Sequence, residues 1–357
     1  MDSHEIVSDI DALADEWSAL ADEVGASPFA YPGWFSAWHN AFGSGSPTLV
    51  CCRRKGRLVG VLPLSQQRGN LLSLTNWHTP EYSPPAIDAA ALDGMLAAAA
   101  ARARGRLDLG FVDSTDAVLD ACSRLAARER ARPVSRVIQR SPFIDLAGEW
   151  DGFLAALSSR KRSKFNRSVR RLEEQGELSL QIDEGAGDLA GLLEKGFAVE
   201  AAAWKGEAGT AINTRPETRV FYEEVAGWAA SRGWLRLLFL RVDGKPVAFG
   251  FALEHRAHHY DLKNGFDPDY AHSSPGAALI GLRLQDCFRR GLDRFEFLGA
   301  ADRHKLDWTA SCHDRVRIQL FSRSPQGRAE HLAWVHGREL RARVLRLAGR
   351  GPQEPKG

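Results

Sequence analysis

The sequence predicts an α/β chain, an α+β mixed sheet arranged as two tandem copies of one unit, on three observations. Runs of β-branched and aromatic residues alternate with amphipathic stretches along the 357 residues. Two such runs meet at Asp243-Gly244, a strong two-residue hairpin signal. Features also recur at a near-constant offset: Lys55-Gly56 and Asp243-Gly244 lie 188 apart, Pro84 and Pro275 191, the strand-like runs 106–109 and 294–297 188, and Asp113 and Asp302 189. Each match is weak alone, but their shared order implies a duplication with divergent loops.

Taken in order, 10–24 places Leu13, Trp17, Leu20 and Val24 at helical spacing, and 32–42 is a second, aromatic-rich helix. The runs 48–54 and 58–64 flank Lys55-Gly56 as a hairpin, 71–75 adds a strand, and 90–104 is an Ala-rich helix. A strand at 106–112 and a helix at 117–130 close the first copy, with extended runs 133–138 and 142–146 as a connection. The second half opens with helices at 150–157 and 158–175, the latter capped by Ser158 and stopped by Gly176. A strand at 177–182, helices at 189–204 and 216–232, strands 234–242, 246–254 and 258–264, a helix at 275–290 and strands 294–298 and 316–321 follow. A basic helix spans 328–347. The implied domains are 1–140, 141–325, and a C-terminal helix and tail, 326–357.

Composition describes an ordinary globular chain, 44% apolar and 26% charged. A net charge of +2 means that any basic feature is local. Five cysteines without CxxC or zinc spacing fit a reduced, cytoplasmic setting. No window reaches the roughly 18 apolar residues of a membrane span, and the N-terminus lacks a signal-peptide pattern. His255, His258 and His259 have no cysteine or acid at fixed spacing, so no metal site is expected.

The chemistry concentrates in 232–308. A helix opening with Ser274-Pro275-Gly276 after a strand presents free N–H groups and a positive dipole end, which suit a phosphate. Ser273, Ser274, Gly276 and Ala277 are the candidate cradle; an ordinary capped helix is the competing reading. Pro85 in the first copy falls opposite Gly276 and lacks the N–H, which assigns the working site to the second copy and makes the first degenerate.

Leu157-Ser-Ser-Arg-Lys-Arg162, Val242-Asp-Gly-Lys-Pro-Val-Ala248, Gly265-Phe-Asp-Pro-Asp-Tyr270, Ser274-Pro-Gly276 and Phe297-Leu-Gly299 with Lys305 and Trp308 occur in unbroken order. In these motifs the second half resembles acetyltransferases of the bacterial cellulose-biosynthesis (BcsL/CelD-like) family, a branch of the GNAT superfamily related to FemAB peptidyltransferases. The resemblance implies two tandem GNAT-like acyltransferase domains and acyl transfer from acetyl-CoA or another acyl-CoA to an amine or hydroxyl of a small molecule or glycan precursor in polysaccharide biosynthesis. In the FemAB branch the donor is aminoacyl-tRNA, which keeps tRNA as an alternative partner. A non-catalytic module binding an anionic glycan or a protein is the third reading. The family commonly has Tyr where this chain has His304, and the glycine-rich phosphate loop of many GNAT proteins is missing.

Acyl transfer needs a base, an oxyanion donor and a proton for the leaving group. Alternation along 260–264 places Asp261 and Lys263 on one face, either as a base or substrate-positioning pair or as a structural salt bridge. Backbone near 249–251 is the expected oxyanion donor. Tyr270 is a candidate acid or a packed loop residue. Lys305 is a candidate for phosphate or a substrate carboxylate, Trp308 a pocket wall, and His304 a base or an exposed loop histidine. Seven cations fall within 160–171; Arg160, Lys164, Arg167 and Arg171 share one helix face, and Arg162 is assigned to the cofactor. Trp204 and Lys205 open a glycine-punctuated loop suited to a substrate lid.

Overall fold

A computed structural model describes residues 2–129, 132–203, 212 and 215–347, with side chains at all of these but 132, 203 and 337–347. The chain divides into two units, one of 1–39, 43–139 and 314–357, the other of 40–42 and 140–313. In the first, the hydrogen-bonded strand order is β1 (Asp2–Val7), β2 (Thr48–Arg54), β3 (Arg57–Gln67), β4 (Asn70–Ser73), β5 (Arg106–Asp113) and β12 (Cys312–Phe321). In the second it is β7 (Leu178–Asp183), β8 (Leu235–Val242), β9 (Lys245–His255), β10 (His258–Phe266), β11 (Arg294–Glu296) and β6 (Arg132–Asp145).

Both sheets pair antiparallel through four strands, parallel at the fourth and fifth, and antiparallel at the last. The helices recur as well. Helices α1 (Ala14–Glu23) and α2 (Pro32–Phe42) occupy the place of α7 (Leu189–Ala203) and α8 (Pro216–Ser231), and α3 (Ala89–Arg102) that of α9 (Pro275–Arg289). After the fifth strand, α4 (Ala117–Glu129) answers to the short α10 (Arg303–Leu306). Both hairpins turn with two positive φ angles, 52° and 83° at Lys55-Gly56, 47° and 76° at Asp243-Gly244, the type I′ geometry that matches strand twist. A left-handed non-glycine residue falls near the end of each fifth strand, Phe111 (φ 59°) within β5 and Leu298 (φ 52°) two residues past β11.

The sixth strands are exchanged between the copies. The sequence expectation kept 316–321 within a domain ending at 325, but β12 joins β5 of the first unit, with Ile318 opposite Leu109 and Leu320 opposite Leu107. Long-range charge selects the partner: Arg317 makes two 2.7 Å bonds to buried Asp108, and Arg315 reaches Asp113 at 2.8 Å. The runs 133–138 and 142–146 form one continuous strand, β6, whose end pairs with β11. β1 was not expected, because Asp-Ser-His-Glu-Ile-Val carries little apolar signal for an edge strand.

In the second unit, α6 (Ser159–Glu173) turns Phe165, Ser168 and Leu172 inward, and Ser158 caps it by accepting from Lys161 N–H. Leu172 meets Leu238, Leu240, Val247, Ala278 and Leu279 on one face of the sheet. Tyr222 of α8 packs edge-on to Phe251 on the other face. With both faces covered, β8 is apolar almost throughout rather than alternating. No helix among the described residues is long and apolar enough to cross a membrane.

The first copy silences its helix N-terminus differently from the expectation at Pro85. Helix α3 begins at Ala89, and the segment before it lies against β3, with the Pro85 carbonyl accepting from Val61 N–H and Ile87 N–H donating to Val59. The Asp88 carboxylate caps the helix by accepting from Ala91 N–H and also bonds Arg54. An internal carboxylate holds the place where α9 offers an open end.

Glu254 of β9 is 8% exposed and accepts from Arg290, Arg236 and His259. Glu254 and His259 with the buried Cys287 thiol form the one grouping of possible metal ligands among the described residues, but guanidinium groups already occupy the carboxylate. Burial pushes the Glu254 carboxyl up, and the bonds from Arg290 and His259 outweigh it, leaving its pKa well below the usual range. A folded pKa below the unfolded one stabilises above the unfolded value, about 4.3, and that stability is lost as pH falls toward the folded value. Glu254→Gln is therefore expected to be markedly less stable than wild type at neutral pH, with the gap shrinking by about pH 3. Denaturant titrations at the two pH values measure this; a gap that stays constant counts against it.

Candidate functional site

The site begins where β10 leaves β11. The two pair only at 258–260 with 294–296, whereas β10 stays paired to β9 as far as Phe266. From Asp261 onward the β10 edge toward β11 has no strand partner among the described residues. β11 turns away through Leu298 and Gly299, both left-handed at φ 52° and 59°. The Lys305 ammonium fastens that turn, donating to the Leu298 carbonyl at 2.8 Å and the Ala300 carbonyl at 3.1 Å. The oxyanion donor expected near 249–251 is corrected accordingly: those residues pair on both edges, with β8 and β10, so their N–H groups are engaged.

A bulge between Asp261 and Lys263 breaks the alternation assumed for β10 and separates the two side chains. Asp261 joins Asn264 on the α9 face, where Arg283 clasps its carboxylate with bonds of 2.8 and 2.9 Å and Asn264 donates at 2.7 Å. Asp261 and Arg283 are 3% and 1% exposed. Lys263 instead lies 5.7 Å from the Tyr222 ring centre, and its pKa is lowered by burial, against the favourable charge of Glu200. The expected Asp261–Lys263 pair does not form. Gly265 accounts for the close approach of α7, since a Cβ there would drive into the Glu200 backbone.

Helix α9 opens beside the parted strand. Ser274 is left-handed (φ 56°, ψ 54°) and makes no side-chain cap, while its carbonyl accepts from Ala277 and Ala278. Pro275 has no N–H to give, and the Gly276 N–H meets no acceptor among the described residues. A Cβ at Gly276 would touch only Phe266, at 3.6 Å. The protein's own packing leaves that position open.

These features border a pocket of about 490 Å³. Phe165, Phe266, Ile280 and Trp308 give it apolar walls, with Asn264 and Gly265 of β10 along one side. Ser274, Gly276 and Ala277 form its end, and Lys161, Lys164, Asp307 and His304 are its ionisable lining. His304 is exposed at the pocket rim, and its pKa is pushed down by partial desolvation and then by the Lys305 charge, the direction that favours the neutral, proton-accepting imidazole. Two basic recesses share Lys164 with this pocket. One, of about 200 Å³, gathers Arg160, Lys164, Arg167 and Arg171 with Ser273 and Ser274. The other, of about 400 Å³, adds Lys161 and Arg303. The helix-face stripe read from the sequence thus faces the open end of α9.

Several expected site residues sit elsewhere. Arg162 donates to the Ala155 and Leu157 carbonyls, closing the C-terminus of α5 (Trp150–Ala156), and does not line the pocket. Lys305 is a part-buried loop fastener with its pKa lowered by desolvation and lies outside the pocket lining. Tyr270 lies outside the lining, its ring 5.0 Å from the Lys245 ammonium. Ser273 is buried and accepts from Gln175, lining the smaller basic recess and not the apolar pocket. Trp204 and Lys205 lie outside the described residues. The sequence reading passed over Phe266 and Asn264 as pocket residues, although both stand in or beside the Gly-Phe-Asp-Pro-Asp-Tyr motif, and over Asp307, which pairs with Lys164 at 2.6 Å.

Residues 159–306, from the start of α6 to the end of α10, match the family model of the acetyltransferase (GNAT) domain. No curated protein sequence matches the chain. Among solved structures it is similar to FemX (11% identity, TM-score 0.59), with 88% of this chain and 96% of that chain covered. It is similar also to L-PGS from Bacillus licheniformis (12%, 0.57, covering 90% and 94%). A conserved protein of unknown function from Bacteroides thetaiotaomicron gives 14%, 0.57, and coverage of 90% and 100%. At such identity the likeness establishes the fold: a GNAT-like mixed α/β architecture.

Proposed function

We propose that the second unit is an acyl-CoA-dependent acyltransferase that acylates an amine or hydroxyl of a small molecule or glycan precursor. The observation that carries this reading is the form of the pocket: apolar within, open to backbone N–H at the start of α9, and flanked by recessed cations. Such a pocket suits a donor with an apolar arm and several phosphates. Bound acyl-CoA supplies an activated thioester carbonyl.

The remaining parts come from this chain. The unpaired β10 edge beside Asn264 and Gly265 offers backbone donors to a developing oxyanion. His304, on the pocket wall, takes the proton from the acceptor amine or hydroxyl as its N or O bonds to the thioester carbonyl, and returns that proton to the CoA thiolate as the C–S bond breaks. The α9 N-terminus and the cations at 160, 164, 167 and 171 hold the phosphates and orient the donor. We assign the reaction to the cytoplasm, in keeping with five free cysteines, and to polysaccharide biosynthesis on the motif resemblance. Titration calorimetry with acetyl-CoA and longer acyl-CoAs tests the donor; no heat of binding from any of them sinks the CoA reading.

A second reading, transfer from aminoacyl-tRNA, is favoured by the two basic recesses that the phosphates of one CoA need not fill. It predicts tRNA binding that weakens steeply with salt. The variant carrying Arg160→Glu, Arg167→Glu and Arg171→Glu distinguishes the two. With CoA as donor, affinity falls by roughly tenfold, about 1.4 kcal/mol; with tRNA, binding disappears at physiological salt and the slope of log K against log salt flattens.

A further inference from the structure

We propose that the first unit carries a binding site of its own, for a single sugar ring bearing a carboxylate or phosphate. The site lies where β5 runs past β4. The two pair only at Leu71 with Leu107 and Leu72 with Asp108, and Gly110 and Phe111 continue beyond. The opening is a recess of about 230 Å³ lined by Thr75, Asn76, Trp77, Asp108, Arg136 and Arg317, among others.

Trp77 is 79% exposed, the most exposed of the large hydrophobic side chains described. Its ring stands edge-on to Phe111 at 5.8 Å, which braces it. A braced aromatic ring held in water at the lip of a recess is a platform for a flat apolar surface.

The charges specify the rest. Buried Asp108 is fully engaged, by Arg317 through Nε and Nη2, by Gln319 at 2.6 Å and by Arg106 at 3.0 Å. Arg136 has no carboxylate partner among the described residues and leaves the recess with a surplus positive charge. Arg317 bonds Asp108 through Nε and Nη2, and its Nη1 meets no acceptor among the described residues. The Asn76 amide and Thr75 hydroxyl supply neutral polar groups. An apolar platform, a guanidinium fork and neutral hydrogen-bonding groups match the C–H face, acid group and hydroxyls of an anionic pyranose. The volume lies below the drug-sized range of about 300–1,000 Å³, which limits the ligand to one ring. The site stands entirely in the first unit and is independent of the acyltransferase reading.

Saturation-transfer NMR and calorimetry on the full chain test it, with D-glucuronate, D-glucose 6-phosphate, D-glucose and inorganic phosphate as probes. The two sugar acids are expected to bind saturably, with glucose and inorganic phosphate each at least tenfold weaker. Trp77→Ala should weaken both acids at least tenfold, and Arg136→Ala should abolish their advantage over glucose. Both side chains are exposed, so neither variant should disturb folding. Absence of saturable binding by either acid overturns the proposal. So does binding indifferent to both substitutions, or glucose or phosphate binding as tightly as the acids.

Discussion

Asp261→Ala is expected to cost roughly 3–5 kcal/mol of stability, the usual penalty for stranding one partner of a buried ion pair. Arg283 is 1% exposed, and its Nη atoms bond to Asp261 and Asn264 while Nε has no partner. Without the Asp261 carboxylate, the guanidinium keeps only the Asn264 amide oxygen and the Phe295 ring, 5.1 Å away. Replacing both partners by apolar residues of similar volume, Asp261→Leu with Arg283→Met, should recover most of the loss, because no charge is then left buried. Denaturant unfolding of the single and double variants measures this; a single-variant loss below about 1 kcal/mol contradicts the buried-pair account. The double variant also tests function. If it folds and transfers acyl groups at the wild-type rate, Asp261 is scaffold; if it folds and is inactive, the carboxylate acts on substrate.

Gly276→Phe is expected to reduce acyl-CoA affinity by roughly a hundredfold, about 2.7 kcal/mol, while leaving the fold intact. The position has room, since the atom nearest to an added Cβ is in Phe266 at 3.6 Å, and the remaining space belongs to the pocket. Gly276→Ala is the graded control. It should stabilise the helix by about 0.4–1 kcal/mol by restricting the unfolded chain, and reduce binding much less. Calorimetry beside thermal unfolding separates the effects. Wild-type affinity in Gly276→Phe removes the start of α9 from the donor site.

Local physics explains what the sequence reveals. The turns at Lys55-Gly56 and Asp243-Gly244, the Ser158 cap, the α6 stripe and the Ser274-Pro275-Gly276 helix start depend on residues a few positions apart, and each is legible directly. The sixth strands are not, because a strand's neighbour is chosen by partners far along the chain, as Arg317 is by Asp108. The bulge in β10 is equally hidden: nothing in Asp-Leu-Lys-Asn announces the extra residue, yet it sends Lys263 away from Asp261. Lys305 shows a third limit. Composition marks it as a cation near a strand end, but whether its ammonium meets a ligand or a carbonyl depends on the left-handed turn at Leu298 and Gly299.

The exchange of β6 and β12 has a consequence for how the protein is made. The first unit holds residues from both sides of the second, so along the chain the second unit is a parenthesis within the first. During synthesis β7 to β11, with β6 already emerged, are available together before β12 leaves the ribosome. On this topology the second unit can close before the first has all its strands, against the usual N-terminal-first order of domain folding. Until β12 arrives, Asp108 waits on an open β5 without Arg317 and Gln319. A nascent chain arrested just short of Cys312 would therefore display a finished second unit beside an unfinished first, and a protease acting at that stage would select for the transferase-like half.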